Sequence, residues 1–197
     1  MFGLAALSSD MTIEQDLAAR DVFTTRLYFE NPINFVSLES LDKQLLSIRD
    51  RFPECVKEII FGCTSATALL FKKDSPFITP LHSALSIMGN KIDLLTPYDE
   101  YAHNLVKDWF ESNGVEIERE SYMGFNNDVE IAKLDKNYLL NVIDRFGSST
   151  GEVFISCTAL PVLHLLDDLP SNISYHSSNS VLLNTMNKIR REDDLPN

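Results

Sequence analysis

The sequence lacks the features that mark membrane proteins, secreted proteins and nucleic-acid-binding proteins. No apolar run approaches the roughly 20 residues of a bilayer-spanning helix, and the apolar start of the chain has no basic leader. Lysine and arginine number 17 against 29 acidic residues, which gives a net charge of −12, and they form no cluster. Because phosphate binding needs such clusters, neither nucleic acid nor a membrane is expected as a partner.

Cysteine is also scarce, and the three cysteines follow neither a disulfide pattern nor a metal-binding pattern. Their number is odd, no CxxC motif is present, and no histidine stands at metal-ligand spacing from any of them. A disulfide framework is therefore not expected in a chain of 197 residues. A reduced, cytoplasmic location fits better, and no metal site is predicted.

Short apolar runs alternate with amphipathic stretches along the chain, which predicts alternating strands and helices. The predicted strands cover residues 2–7, 22–27, 58–61, 91–95, 115–120, 153–156 and 172–176, with a short extended piece at 76–79. The predicted helices cover 8–20 (with a turn), 38–51, 65–71, 81–88, 99–113, 138–145, 160–168 and 181–191. Such alternation is typical of an α/β protein with parallel sheets flanked by helices.

The two halves of the chain resemble each other. Segment 58–64 aligns with segment 152–158, and glutamate, cysteine and threonine recur at an offset of 94 residues. We interpret this as an internal duplication, with an N-terminal α/β domain at 1–88 and a similar C-terminal domain at 89–179. A closing helix at 180–197 is predicted to pack back on the first domain. Two such domains, related by a pseudo-twofold axis, would hold an active site in the cleft between them.

Cys63 and Cys157 are predicted at the carboxyl ends of parallel strands, where open α/β sheets bind ligands. The start of the following helix offers N–H groups and a positive dipole that favour a thiolate. Two thiols facing each other suit a racemase, because one removes a proton from one face and the other delivers a proton to the opposite face. They also suit a cis–trans isomerase in which one thiolate adds to a double bond. Cys55 has no such context and is interpreted as structural.

Hydroxyl groups beside the two cysteines predict a cradle for a substrate carboxylate. Thr64, Ser65 and Thr158 offer hydroxyls and backbone N–H groups that can bind a carboxylate and stabilise the enolate-like charge of a transition state. Tyr98 ends another strand and adds a phenol donor, and Ser9 with Asp10 closes the opposing turn. Asp10 is equally compatible with a helix N-cap.

These motifs resemble those of the aspartate/glutamate racemase superfamily, in its maleate isomerase and arylmalonate decarboxylase group. The resemblance rests on the segments around Cys63 and Cys157, on 94–98 and on 175–179, and it spans residues 3–184. It implies a two-domain α/β fold with pseudo-twofold symmetry and no metal or organic cofactor. It also implies Cys63 as nucleophile or base and Cys157 as acid or base. The implied substrate-binding residues around them are Thr64, Ser65, Tyr98, Thr158 and Ala159.

Within that group, the sequence resembles the ectoine-utilisation branch, EutA. The finer resemblance rests on segments 9–14 and 128–132 and on the pairs at 25–26 and 31–32, and it adds Asp128 to the implied substrate-binding residues. It implies a racemase or isomerase of an amino-acid derivative in ectoine degradation. Maleate isomerases carry asparagine where this chain has Asp10. The negative charge of Asp10 would repel a substrate with two carboxylates, such as maleate, and would tolerate a substrate that carries an amino group.

Several functional readings stay open at the level of the sequence. The first is a cofactor-independent racemase or isomerase of a small carboxylate, and the second is a maleate cis–trans isomerase. A decarboxylase of the arylmalonate type is a weaker variant, because those members need only the second cysteine. The last is a non-catalytic binder of small carboxylates. A homodimer is possible in each case, since symmetric dimers are the commonest oligomers of soluble proteins.

Overall fold

A computed structural model describes residues 1–18, 21–28 and 35–193 of the chain. The pair at 31–32 and the ends of two predicted helices, at 19–20 and 194–197, lie outside the described residues. The strands are β1 (Phe2–Leu7), β2 (Val22–Leu27), β3 (Glu58–Gly62), β4 (Lys91–Tyr98), β5 (Glu116–Phe125), β6 (Glu152–Ile155) and β7 (Ser174–Ser177). In these ranges no helix is long and apolar enough to cross a membrane.

Eight α-helices are described between and after the strands. They are α1 (Ile13–Leu17), α2 (Phe35–Leu46), α3 (Thr64–Leu70), α4 (Pro80–Ile87), α5 (Glu100–Ser112), α6 (Asp128–Ile131), α7 (Lys136–Phe146) and α8 (Ser178–Asp193). Two stretches of 3₁₀-helix, Ile48–Arg51 and Leu163–Asp168, follow α2 and β6.

The strands form two parallel sheets with the same internal order. The first sheet runs β2-β1-β3 and the second runs β5-β4-β6-β7. Ile78 forms a single parallel bridge to Ile60 of β3, at the position that β7 occupies beside β6. The predicted fold class is therefore confirmed: the chain is an α/β protein with two similar halves, each a parallel sheet flanked by helices.

β1, the central strand of the first sheet, is buried on both faces, which explains why its sequence is a continuous apolar run. Successive side chains of a strand point to opposite faces. Ala5 and Leu7 accordingly join the cluster of α2, and Leu4 and Ala6 join the cluster on the other face. That second cluster also contains Leu182 and Met186, so α8 lies against the first sheet. The domain boundaries near residues 88 and 179 stay a prediction.

The stretch after β6 differs from the helix predicted at 160–168, because only 163–168 is helical and it is a 3₁₀-helix. Two carbonyls at the start of this stretch accept hydrogen bonds from side chains distant in sequence. The Thr158 carbonyl accepts from Asn179 Nδ2, and the Ala159 carbonyl accepts from Thr12 Oγ1. Since Thr12 belongs to the first half, a contact between the halves holds the backbone behind Cys157.

Candidate active site

A cleft at the carboxyl ends of the strands gathers most of the predicted site. Its cavity volume is about 70 Å³, which suits a ligand of a few heavy atoms. Eight of the ten predicted residues line it: Asp10, Cys63, Thr64, Ser65, Tyr98, Asp128, Cys157 and Thr158. Ser9 and Ala159 do not line the cavity but lie directly behind it, through contacts given below.

Cys63 directly follows β3 and is the N-cap residue of α3. Its thiol is buried, and its Sγ lies 3.7 Å from the Ser65 hydroxyl. A Cβ on Gly62, the preceding residue, would lie 2.5 Å from Ile13 Cδ1, so a larger residue there would require the Ile13 side chain to shift. α1 therefore packs closely against the end of β3.

Cys157 follows β6 in a backbone conformation that a residue with a side chain rarely adopts, with φ at 95°. Such strain persists only where the surroundings hold it, and it is concentrated at functional sites. The Cys157 N–H donates to Ser178 Oγ over 3.0 Å, and the Ser178 hydroxyl lies 2.9 Å from Thr64 Oγ1. A single buried hydroxyl thus contacts both cysteine segments.

Two carboxyl groups share the cleft with the thiols. Asp10 caps α1 through Oδ1, which accepts from the N–H groups of Thr12 and Ile13, whereas its Oδ2 is buried without a hydrogen-bond partner in the described part of the chain. Asp128 comes from the other half, at the start of α6, and its Oδ2 accepts from the Ser9 hydroxyl. Burial raises the pKa of both carboxyl groups.

Arg26 secures the turn that carries Ser9 and Asp10 from the outside. Its guanidinium donates to the carbonyls of Leu7 and Asp10 and forms an ion pair with Glu14. This side chain does not line the cavity. Among the residues that the structure describes there, the charged side chains are aspartates, and no lysine, arginine or histidine is present.

Buried hydrogen bonds connect the two halves across the base of the cleft. Thr12 Oγ1 donates to the Ala159 carbonyl at 2.7 Å, and Thr158 Oγ1 donates to the Gly62 carbonyl at 3.3 Å. Asn179 Nδ2 donates both to the Thr158 carbonyl and to Asp16 Oδ2. The loop after Cys157 is therefore held by residues of the first half, and Ala159 serves the site through its backbone.

The electrostatics of the thiols differ from the sequence-based expectation. A helix start was expected to favour thiolates, but burial raises the pKa of Cys63 to about 12, and the nearby charges of Asp128 and Asp10 act in the same direction. Burial and the same two carboxylates also raise the pKa of Cys157 well above its usual value. Backbone N–H groups of Ala66 and Ala159 oppose these shifts only in part. Both thiols are therefore protonated in the unliganded protein near neutral pH.

Tyr98, the last residue of β4, faces both thiols. Burial, followed by the charges that Cys157 and Cys63 would carry as thiolates, raises the pKa of its phenol well above the usual value. The Tyr98 phenol in turn lowers the pKa of the Cys157 thiol, against the larger effect of burial. A protonated phenol beside a thiol can donate to a thiolate or to an anionic ligand, and the substrate-binding role of Tyr98 stays a prediction.

Other lining residues were not identified from the sequence. They are Leu7, Asp99, Tyr101, Ala102, Phe125, Asn126 and Ile131. Tyr101 is 62% exposed and forms part of the rim. Its position three residues after Tyr98 was the sequence signal that could have placed it near the site. Ser178 and Asn179 fall in segment 175–179, which carried part of the resemblance but was not assigned to the site. Cys55 is exposed and lies outside this lining.

By sequence, neither a family model nor a curated protein matches the chain. By structure, the chain is similar to solved enzymes. Maleate cis–trans isomerase from Nocardia farcinica, as a cysteine variant with a covalently bound succinylcysteine intermediate, shares 17% identity at a TM-score of 0.76 and covers 99% of this chain and 93% of that chain. Maleate isomerase from Pseudomonas putida S16, as a cysteine variant with maleate, shares 14% identity at a TM-score of 0.79 and covers 97% and 93%.

A liganded, doubly substituted arylmalonate decarboxylase is also similar, with 12% identity, a TM-score of 0.74 and coverage of 95% of this chain and 91% of that chain. The fold predicted by the resemblance is therefore found, together with its maleate isomerase and arylmalonate decarboxylase neighbours. At these identities the likeness concerns the fold, and the particular closeness to the ectoine-utilisation branch stays a prediction.

Proposed function

We propose that the chain is a cofactor-independent racemase or isomerase of a small carboxylate that uses Cys63 and Cys157. The observation that supports this most directly is the presence of both thiols on the wall of one cleft, at the ends of β3 and β6 of the two similar halves. The cleft also offers the hydroxyls of Thr64, Ser65 and Thr158. Proteins of the same fold include a maleate isomerase with a covalent cysteine intermediate.

In the racemase form of the reaction, one cysteine acts as a thiolate and the other as a thiol. The thiolate removes the proton alpha to the carboxylate, and the electron pair of the broken C–H bond moves into an enolate. Hydroxyl donors stabilise the added negative charge on the carboxylate oxygens. The second thiol then delivers its proton to the opposite face of the carbon and becomes the thiolate. The protein therefore ends the cycle with the same total number of protons.

The thiolate requires an explanation, because both thiols have raised pKa values in the free protein. A cationic group on the ligand supplies one, since a positive charge placed between Asp10 and Asp128 offsets the two charges that oppose thiolate formation. Among the described residues no donor bonds to the buried Oδ2 of Asp10, and an ammonium or amide N–H of the ligand would provide one. These contacts favour an amino-bearing carboxylate, in line with an amino-acid derivative and with the proposed role in ectoine degradation.

Maleate isomerisation is the second candidate, because two of the structural neighbours are maleate isomerases. In that reaction one thiolate adds to the double bond, the resulting single bond rotates, and elimination of the thiolate restores the double bond as the trans isomer. The aspartates of the cleft disfavour it, since maleate is a dianion. The raised pKa values of both thiols favour a third candidate, a binder of small carboxylates without turnover.

Proton NMR in deuterated water separates these candidates. The probes are both enantiomers of aspartate, glutamate and N-acetylated diaminobutyrates, together with maleate. We expect deuterium to replace the alpha proton of an amino-bearing probe, so that the alpha-proton resonance decays. This exchange should be lost in Cys63→Ala and Cys157→Ala and kept in Cys55→Ala. Formation of fumarate from maleate would establish the isomerase instead. Full turnover in both cleft variants would rule out the two-thiol mechanism, and silence with every probe would support the binder.

A further inference from the structure

Ser178 is the first residue of α8 and is completely buried at the point where the two cysteine segments meet. Its side chain has two polar neighbours, the Cys157 N–H at 3.0 Å and Thr64 Oγ1 at 2.9 Å. Cys157 belongs to the second half of the chain and Thr64 to the first. The Ser178 hydroxyl therefore connects the backbone of one proposed catalytic cysteine to the residue that directly follows the other.

The direction of the first hydrogen bond follows from the groups involved, because an amide N–H can only donate and Ser178 Oγ therefore accepts from Cys157. Between Ser178 Oγ and Thr64 Oγ1, either hydroxyl can donate. When Ser178 donates, the hydrogen of Thr64 is free to point into the cleft that Thr64 lines. A chain of hydrogen bonds polarises each member, which makes the last hydroxyl a stronger donor.

The backbone of Cys157 gives a second, independent reason to assign a role to Ser178. A cysteine at a φ of 95° stays in that conformation only where other contacts hold it. The hydrogen bond to Ser178 is a side-chain contact made by the N–H of that strained residue. If it were lost, the loop would relax and the Cys157 thiol would move from its position in the cleft wall.

We propose that Ser178 is a positioning residue that holds the strained Cys157 backbone and directs the Thr64 hydroxyl hydrogen toward a bound carboxylate. The second part rests on the proposed function, whereas the first part rests on the geometry alone. Ser178 touches no reacting atom in this scheme and acts through Cys157 and Thr64.

The experiment compares Ser178→Ala with Ser180→Ala as a matched control. Ser180 lies two residues further along α8, and in the described part of the chain its hydroxyl bonds to the backbone N–H and carbonyl of Ser177. Alkylation by iodoacetamide is followed for each cysteine by peptide mass spectrometry, and the exposed Cys55 serves as the internal reference. We expect Cys157 to react about tenfold faster in Ser178→Ala, the effect of one lost buried hydrogen bond, with Cys63 and the control unchanged.

Deuterium exchange at the alpha carbon of the active probe provides the second readout. In Ser178→Ala we expect kcat to fall while alkylation of Cys157 accelerates, a combination that partial unfolding would not give because it would expose Cys63 equally. If Ser178→Ala does not fold, Ser178→Cys takes its place. It has a side chain of similar shape, but its sulfur is a poorer hydrogen-bond acceptor than the serine oxygen. Unchanged Cys157 reactivity in a folded Ser178 variant, or equal acceleration at both cleft thiols, would overturn the proposal. If no probe turns over, alkylation still decides the positioning role.

Discussion

The Ser9 hydroxyl donates to Asp128 Oδ2 at 2.5 Å and joins the turn after β1 to the start of α6, 119 residues further along the chain. This bond places one acid of the cleft, Asp128, beside the turn that carries the other, Asp10. It also lowers the pKa of Asp128 against the larger, opposing effect of burial. The charge in the cleft therefore depends on a contact between the two halves.

Replacement of Ser9 by alanine should raise the pKa of Asp128 further, because the hydrogen bond stabilises the carboxylate. The measurement is an NMR titration of the aspartate carboxyl carbons in the parent protein and in Ser9→Ala. Ser8→Ala is the control, since Ser8 is exposed and uses its backbone N–H to bond to Leu27. An unchanged Asp128 titration in Ser9→Ala would contradict the role assigned to this contact.

Removal of the Asp128 charge should make both cleft thiols more reactive. Asp128 is the leading charge that raises the pKa of Cys63 and of Cys157, after burial itself. In Asp128→Asn we expect iodoacetamide at pH 8 to alkylate both about three- to tenfold faster, since one pKa unit changes the thiolate fraction tenfold. Asp42→Asn on the exposed side of α2 is the control. Equal rates in both variants would show that burial alone controls the thiols.

The protein should lose stability at alkaline pH. An unfolded cysteine releases its proton near pH 8.5, whereas folded Cys63 keeps its proton up to about pH 12. Between these values the folded state binds more protons than the unfolded state, so the free energy of unfolding falls as pH rises. Urea unfolding between pH 7 and pH 10 measures this, and Cys63→Ala should show a shallower decline than Cys55→Ala. Parallel curves for the two variants would exclude Cys63 as a source.

Replacement of Asp10 by asparagine should stabilise the protein at neutral pH. Its folded pKa is raised, chiefly by burial, so its ionisation opposes folding once the pH exceeds the unfolded value near 4. Asparagine keeps an oxygen for the N–H groups of Thr12 and Ile13 and removes the charge. We expect a gain in the free energy of unfolding at pH 8 that shrinks toward pH 4, measured by urea unfolding. A loss of stability at pH 8 would mean that the carboxylate itself supports the fold.

Asn179→Ala should destabilise the protein by about 1–3 kcal/mol, the usual cost of unsatisfied buried groups. Asn179 is buried, and its amide donates to Asp16 Oδ2 and to the Thr158 carbonyl. Asn141→Ala is matched in chemistry but exposed, so we expect it to stay within about 0.5 kcal/mol of the parent. Thermal unfolding of the two variants tests this, and similar midpoints would show that the connection between the halves contributes little.

Much of the fold follows from local patterns in the sequence. β1 and β2 have the predicted bounds. β1 is an apolar run that ends at the polar turn of residues 8–10, and β2 is a β-branched and aromatic run that begins after the charged pair at 20–21. β5 was predicted to end at 120 but reaches Phe125, since a glycine with positive φ, Gly124, and exposed polar residues conceal the continuation. α6 was missed for a related reason: it has four residues and depends on the Asn127 cap rather than on an apolar period.

The site was predictable where a residue type and a strand end coincided, as at Cys63, Tyr98 and Cys157. It was not predictable where the role depends on a contact distant in sequence. Ser178 carries no distinctive signal in the sequence, and its role is evident only from its hydrogen bonds to Cys157 and Thr64 in the structure. The direction of the thiol pKa shifts was wrong for the same reason, because burial and two carboxylates from different turns outweigh the helix starts.

The position of α8 also affects how the chain can fold while it is being synthesised. Phe2, Leu4 and Ile60 are made early, but Leu182 and Met186, which complete the cluster on that face, follow on the order of 100 residues later. During synthesis on a ribosome, part of the apolar face of the first sheet therefore stays exposed for the several seconds that translation of the intervening residues takes. The first half therefore completes its apolar core only after α8 has been made.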